Sequence, residues 1–329
     1  MHHAPAVADG ALLNMRCAVT GGTGFIGREL VARLAAAGHV VKVLTRRAVV
    51  DAPNGVIHVR GDLARGSPPA GFLADVDVLF HCAGEITDPA KMMALHVDGT
   101  RRLIDAASGN VRRWVQLSSV GAYGPRPALV VHENSPERPL GTYEVTKTMA
   151  DALVRQAAAQ GVFDYTLLRP STVFGNGMPN RSLAQWIAAI RRGLFFYIGA
   201  PGAMVNYVHV TSVIDALIRC ALPAAAGKTY IVSEAMTVEH FVETICRTLE
   251  KAPPRLRLPE TMARSLSAAG GFFWKNFPLT PSRIDALTDR TVYSSARIGE
   301  ELGYSPSVPL TEGLKNFVAC WRSHGGGQA

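Results

Sequence analysis

The 329-residue chain has no apolar run as long as the roughly 18 residues that a bilayer crossing requires, so no integral membrane segment is expected. Its five cysteines, Cys17, Cys82, Cys220, Cys246 and Cys320, are odd in number and include no close pair. That excludes a disulfide framework and a CxxC metal or redox site, and it fits reduced thiols in a cytoplasmic protein. The ten histidines lack HExxH-type spacing, so no metal is expected. The net charge is +8, yet Lys and Arg are scattered and no nucleic-acid-binding motif is present. A nucleic-acid partner is therefore not expected, and the basic balance suits an anionic cofactor and a small-molecule substrate. The opening residues MHHAPAVADGALLN lack the charged-then-apolar plan of a secretory leader. Residues 1–14 and 325–329 read as loose tails.

What is present is an alternation of short apolar runs with longer helical patterns. Met15–Thr20, Val40–Thr45, Val56–Arg60, Val76–Cys82, Arg113–Ser118 and Tyr165–Arg169 read as strands. Gly27–Gly38, Asp98–Ala107 and Tyr143–Gln160 carry helical periodicity. Near-continuous apolar strands in β-α-β order predict an α/β fold, a doubly wound parallel Rossmann sheet over residues 15–175. Residues 176–324 are less regular and are expected to form mainly a smaller C-terminal substrate-binding lobe. There Leu183–Arg192, Val238–Lys251 and Leu310–Trp321 read as helices, while Asn206–Val210 and Thr229–Val232 read as extended. The segment 205–234 is expected to return to the Rossmann sheet.

The run Thr20-Gly21-Gly22-Thr23-Gly24-Phe25-Ile26-Gly27 follows a strand and opens a helix. Glycines at positions 21, 24 and 27 permit a tight turn and let backbone N–H groups approach a pyrophosphate, to which the helix N-terminus adds favourable dipole charge. Placed at the start of an alternating chain, this is a dinucleotide cradle. Roughly 20 residues on, a site for NAD carries an acid that binds the ribose hydroxyls. Here the strand ends in Thr45-Arg46-Arg47, and either guanidinium can pair with a 2′-phosphate, which favours NADP over NAD. Asp62, in Gly61-Asp62-Leu63 at the end of the third strand, can accept a hydrogen bond from an adenine amino group, and it is also a common turn residue.

Tyr143 and Lys147 stand at i and i+4, on one face of a helix. A tyrosine with an ordinary pKa of about 10 is a poor base, and a neighbouring ammonium is expected to lower that value. Tyr143 can then exchange a proton with a substrate hydroxyl or carbonyl while hydride moves to or from nicotinamide. Taken alone, the spacing is equally that of a solvated pair. It gains weight from Leu117-Ser118-Ser119-Val120-Gly121-Ala122-Tyr123-Gly124, where a serine at a strand end can donate to the reacting oxygen.

Together these motifs resemble the extended short-chain dehydrogenase/reductase family, of the NAD-dependent epimerase/dehydratase type, from about Met15 to the last helix. The resemblance implies Ser119, rather than Ser118, as the catalytic serine beside Tyr143 and Lys147. Lys147 would also hold the nicotinamide ribose. The match to Asp77-Val78-Leu79-Phe80-His81-Cys82-Ala83-Gly84 implies that Cys82, Ala83 and Gly84 line the cofactor. The match to Leu168-Arg169-Pro170-Ser171-Thr172-Val173-Phe174-Gly175 puts Pro170 and Val173 beside nicotinamide. Many relatives pair through two long helices, which implies a homodimer.

Two positions depart from the family pattern. His96, in His96-Val97-Asp98-Gly99-Thr100, replaces an Asn that helps to position a lysine-bound water. It can take the same hydrogen-bonding part, add a titrating group, or be a satisfied helix histidine. Val205 stands where sugar-nucleotide members carry a diphosphate-clamping Arg, leaving Arg283 or Arg290 as other sources of charge. Three functions are therefore open, of which the first is the leading expectation and the other two are alternatives. A nucleotide-sugar ketoreductase or epimerase is favoured by the pattern from Leu279-Thr280-Pro281-Ser282-Arg283 to Leu302-Gly303-Tyr304-Ser305-Pro306. A dehydrogenase or reductase of an apolar substrate (a 3β-hydroxysteroid, hopanoid or dihydroflavonol-like molecule) fits Val205 and the aromatic run from Ala268 to Phe277 better, although such a run is more often lobe core. The third is a non-catalytic NADP-binding assembly subunit.

Overall fold

The computed structural model describes residues 14–47, 54–125, 129–273 and 279–323. The expected tails, apart from Asn14, and the side chains of the aromatic run from position 270 onward lie outside the described residues.

Seven strands form one parallel sheet. Side by side they run Lys228–Val232, Asp164–Pro170, Val111–Leu117, Val76–His81, Arg16–Thr20, Val40–Thr45, Val56–Arg60. The β-branched and aromatic residues of the central strands Arg16–Thr20, Val76–His81 and Val111–Leu117 are buried on both faces, as in a sheet covered on both sides. The helices Phe25–Ala36 and Val210–Cys220 cover one face, where Leu30, Leu34, Val213 and Leu217 join Val19, Val43 and Phe80 in one core. The helices Gly99–Ala107 and Thr142–Ala159 cover the other, around Leu103, Val154, Leu79 and Trp114, whose indole stacks on Phe163 at 4.9 Å.

A second core belongs to the C-terminal part. It packs the helices Ser182–Arg191, Val238–Thr248 and Leu310–Ser323 against a three-stranded sheet. That sheet orders Glu234–Thr237, Met204–His209 and Thr172–Phe174. Within the segment expected to rejoin the large sheet, only Lys228–Val232 does so as a strand, on its edge, and Met204–His209 belongs to the small sheet. Between them lies the helix Val210–Cys220, which no periodicity in the sequence analysis marked and whose first residues, Val210-Thr211-Ser212-Val213-Ile214, are rich in β-branched side chains. His209 caps it, its Nδ1 accepting from the Thr211 amide at 3.3 Å.

The chain builds strands outward from Arg16–Thr20 to one side, then returns to build Val76–His81 on the other. Thr20 and His81 are thus neighbours at the carboxyl ends of adjacent strands, at the topological switch point where such sheets bind ligands. The glycine loop follows Thr20. Gly21 has φ +70°, and a Cβ there would meet the Ala83 backbone at 2.6 Å. A Cβ on Gly27 would overlap the Gly21 carbonyl oxygen. Gly27→Ala should therefore destabilise the fold by about 1–3 kcal/mol through local overpacking and weaken nucleotide binding. A thermal melt unchanged from the parent would show that the helix and loop do not meet so closely.

Candidate active site

A cleft of about 1190 Å³ opens at the switch point. It is lined by the glycine loop (Gly21, Thr23, Gly24, Phe25, Ile26, Gly27), by Arg46, Asp62 and Leu63, by Cys82, Ala83 and Gly84, and by Ser119, Tyr143, Lys147, Pro170 and Val173. The helix from Phe25 points its N-terminus into the loop, with Gly24 as its cap and no acid in its first turn to oppose an anion. Close backbone approach at the glycines, where side chains would collide, is the shape that a pyrophosphate cradle needs. Arg47 is not among the lining residues, although its neighbour Arg46 is; the Arg47 amide turns back to Thr45 Oγ1 at 3.2 Å. Asp62 Oδ1 accepts from the Ala64 amide at 3.1 Å, which leaves Oδ2 with an exposed Arg65 at 3.6 Å.

The structure adds residues that no motif marked. Glu85, Ile86, Thr87 and Lys91 form one wall, and Glu144, Asn180 and Arg181 lie on another. Glu85 is bound by its own loop. Its Oε1 accepts from the amides of Ile86, Thr87 and Asp88 and from the Thr87 hydroxyl, at 2.7–3.2 Å. The Thr87 bonds first, and the other amides after them, hold this carboxyl down to about 2.

Tyr143 and Lys147 lie on the helix Thr142–Ala159, with Asp151 one turn further along. Ser119 is extended, caps the turn Val120–Tyr123 by accepting from the Gly121 amide at 3.1 Å, and lines the cleft with Tyr143. Ser118 turns the other way and donates to Asp151 at 2.6 Å. The Lys147 ammonium is buried and donates to the Leu117 carbonyl at 2.5 Å. Burial lowers its affinity for a proton, while Asp151 and the Cys82 thiol oppose that. The phenol of Tyr143 does not follow the sequence expectation. Burial, then the Glu144 and Asp151 carboxylates, push it up to about 12, and only the neighbouring Ser119 hydroxyl pulls it down. Cys82 is likewise pushed up to about 12 by burial, with Lys147 opposing, so it remains a thiol. Asp151 is itself held by the fully buried Arg169 at 3.0 Å, which also binds Glu137 at 2.7 Å and lies 5.0 Å over the Tyr123 ring. Removing one partner of such a buried pair typically costs about 3–5 kcal/mol.

His96 is buried in a widened turn, Met93–Asp98, that leads into the helix Gly99–Ala107. Its Nε2 accepts from the Glu85 amide at 2.8 Å, and its Nδ1 lies 2.8 Å from Thr146 Oγ1. A backbone amide can only donate, so Nε2 is unprotonated and Nδ1 carries the hydrogen. The ring is neutral. Burial and then Lys147 bring it down to about 4, so of the three roles open to it the titrating one is excluded near neutral pH. His81, 1% exposed, is held well below its ordinary value by burial, Lys147 and His96.

The model of the NAD dependent epimerase/dehydratase family matches residues 17–233. The chain is 28% identical to 4-hydroxy-2-methyl-3-oxo-4-farnesyl-3,4-dihydroquinoline-1-oxide ketoreductase of Stigmatella aurantiaca, over 91% of this chain and 95% of that one. It is 29% identical to UDP-glucose 4-epimerase of Mycolicibacterium smegmatis, over 94% and 99%. Its fold is like that of the solved UDP-glucose 4-epimerase of Thermotoga maritima with UDP-glucose, with TM-score 0.72 at 20% identity over 94% and 99% of the chains.

The neutral histidines make the fold acid-sensitive. A histidine whose folded pKa is depressed stabilises the native state above its unfolded value near 6.5, and that contribution is lost as pH falls toward the folded value. The window for His96 therefore runs from about 6.5 down to about 4. We expect the melting temperature to drop between pH 7 and pH 5, where most carboxylates are still ionised, and to drop less in His96→Gln. Equal melting temperatures at the two pH values would mean that the rings accept protons freely in the native state.

Proposed function

Because this chain belongs to the NAD dependent epimerase/dehydratase family, within the extended short-chain dehydrogenases and reductases, we propose that it interconverts a secondary alcohol and a ketone with NADP as the preferred cofactor. The observation that carries the reading is that Ser119, Tyr143 and Lys147 line one cleft, with Lys147 one helical turn from Tyr143. When bound, the nicotinamide supplies or accepts the hydride. In the reducing direction Tyr143 donates its proton to the carbonyl oxygen as that oxygen gains charge, and the Ser119 hydroxyl donates a hydrogen bond to the same atom. A phenol pushed up to about 12 keeps its proton at neutral pH, which suits this direction. Lys147, in the same cleft, would bind a ribose hydroxyl. Arg46, on the cleft wall at a strand end that has no acid, supports a 2′-phosphate partner.

For the substrate, an uncharged, largely apolar ketone fits best. Val205 is 6% exposed and packed in the lobe core, and neither Arg283 nor Arg290 is among the residues that line the cleft. Arg290 donates to the Pro201 carbonyl at 2.7 Å instead. Ile86, Val120 and Pro179 present apolar surface there. A nucleotide sugar is the second reading, and Arg181 on the cleft wall favours it by offering a cation for a diphosphate. The relatives named above include both a ketoreductase of a farnesylated quinoline and a UDP-sugar epimerase.

Three measurements test this. Tyr143→Phe should lower turnover by about 10²–10⁴-fold while leaving NADPH affinity nearly unchanged. Unchanged biological activity of that variant would instead favour a non-catalytic assembly role. NADPH should bind more tightly than NADH, and Arg46→Asp with Arg47→Ala should reverse the order; equal affinities in the parent would sink the 2′-phosphate assignment. In a thermal-shift panel on the NADP complex, an apolar ketone should raise the melting temperature and UDP- or dTDP-sugars should not; the opposite pattern would transfer the assignment to nucleotide sugars.

A further inference from the structure

His81 and His96 belong to one hydrogen-bond network beneath the cleft, and every proton in it can be located. Thr100 Oγ1 lies 2.5 Å from the His96 carbonyl, which can only accept, so the hydroxyl donates there. The same oxygen, 3.0 Å from His81 Nε2, must then accept, which puts the His81 proton on Nε2. His81 Nδ1 is left as the acceptor for the Thr20 hydroxyl at 2.6 Å, and Thr20 in turn accepts from the Ala83 amide at 3.3 Å. The second branch starts at the Glu85 amide, passes through the His96 ring to Thr146, and ends where the Thr146 hydroxyl donates to the Thr142 carbonyl at 2.8 Å. Backbone amides of the loop supply the first protons, and helix carbonyls take the last ones.

We propose that His96, braced by His81, is a positioning residue that straps the loop 82–88 to the glycine cradle on one side and to the Tyr143 helix on the other. Thr20 immediately precedes Gly21, and Ala83 lies against Gly21. Thr146 lies between Tyr143 and Lys147, and the His96 ring meets the Tyr143 ring edge-on at 5.7 Å. The strap thus joins the two halves of the cleft, and Glu85, whose carboxylate gathers the amides of residues 86–88, passes the fixed position on to the rest of the wall. Lys147, Tyr143, Glu85 and His81 face the His96 ring, and Nε2 is the acceptor that holds the Glu85 amide. This role differs from holding a lysine-bound water, because both ring nitrogens are already engaged.

The two ring positions can be tested separately. A Gln amide oxygen reaches the position of Nε2, whereas an Asn side chain reaches only that of Nδ1. Taking the cleft as the dinucleotide site, His96→Asn should raise the NADPH dissociation constant about tenfold at pH 7.5, and His96→Gln should restore it to within about twofold of the parent. Equal affinity in the parent and His96→Asn, or no rescue by His96→Gln, would overturn the strap. Failure of the parent to bind either NADPH or NADH would instead remove the functional reading. The strap is then judged in the unaltered protein by hydrogen exchange at pH 7.5. Slow exchange of the Glu85 amide supports it, and exchange at the rate of a free peptide overturns it.

Discussion

The constraint on which the structure depends is the reversal of strand order beside Arg16–Thr20. A parallel sheet covered on both faces leaves only its strand ends accessible, and the reversal separates two of those ends into a crevice. The glycine loop leaves one strand and the loop 82–88 leaves its neighbour, so the two meet with almost no space between them. Nothing larger than hydrogen fits on Gly21 without displacing the Ala83 backbone. Close contact of two irregular segments also leaves backbone amides in need of partners, and threonine and histidine side chains supply them at Ala83 and Glu85.

The same economy governs charge. Lys147, Arg169 and Asp151 are all buried within the Tyr143 side of the sheet, which is costly unless each is held. Asp151 bears on all three: it accepts from Ser118, pairs with Arg169 and opposes the burial that lowers the affinity of Lys147 for a proton. Its negative field also reaches Tyr143 and works against the phenolate. An arrangement that stabilises the scaffold therefore biases the phenol toward holding its proton, and the bias suits delivery of that proton to a carbonyl.

Much of the large sheet was legible because its signals are local. Val40–Thr45 and Val56–Arg60 are bounded as their apolar runs suggest, and the glycine spacing lies between a strand and a helix as the motif requires. The helix Val210–Cys220 was hidden because β-branched residues open it, and helix packing overrode that preference. The shift of Tyr143 was misjudged for a different reason. Spacing shows that Lys147 shares its helix face, but it cannot show that the ammonium turns to the Leu117 carbonyl or that Asp151 stands nearby. Glu85 and Lys91 left no signal at all, since a surface acid and a surface lysine gain meaning only from the cleft they face.

Val205 and His96 depart from the family pattern in opposite ways. Val205 lies outside the cleft lining, in the lobe core between the small sheet and its helices, and so offers no charge to a substrate. His96 stays beneath the cleft and uses both ring nitrogens, so there the substitution replaces one hydrogen-bonding arrangement with another. The first change bears on which substrate can be held, because a diphosphate without a cation in a partly apolar cleft is poorly compensated. The second bears on the proton and hydride chemistry, because it fixes the wall beside Tyr143. The lobe position thus lies in a separate core, whereas the His96 position is bonded directly to the loop and the helix at the sheet's carboxyl edge.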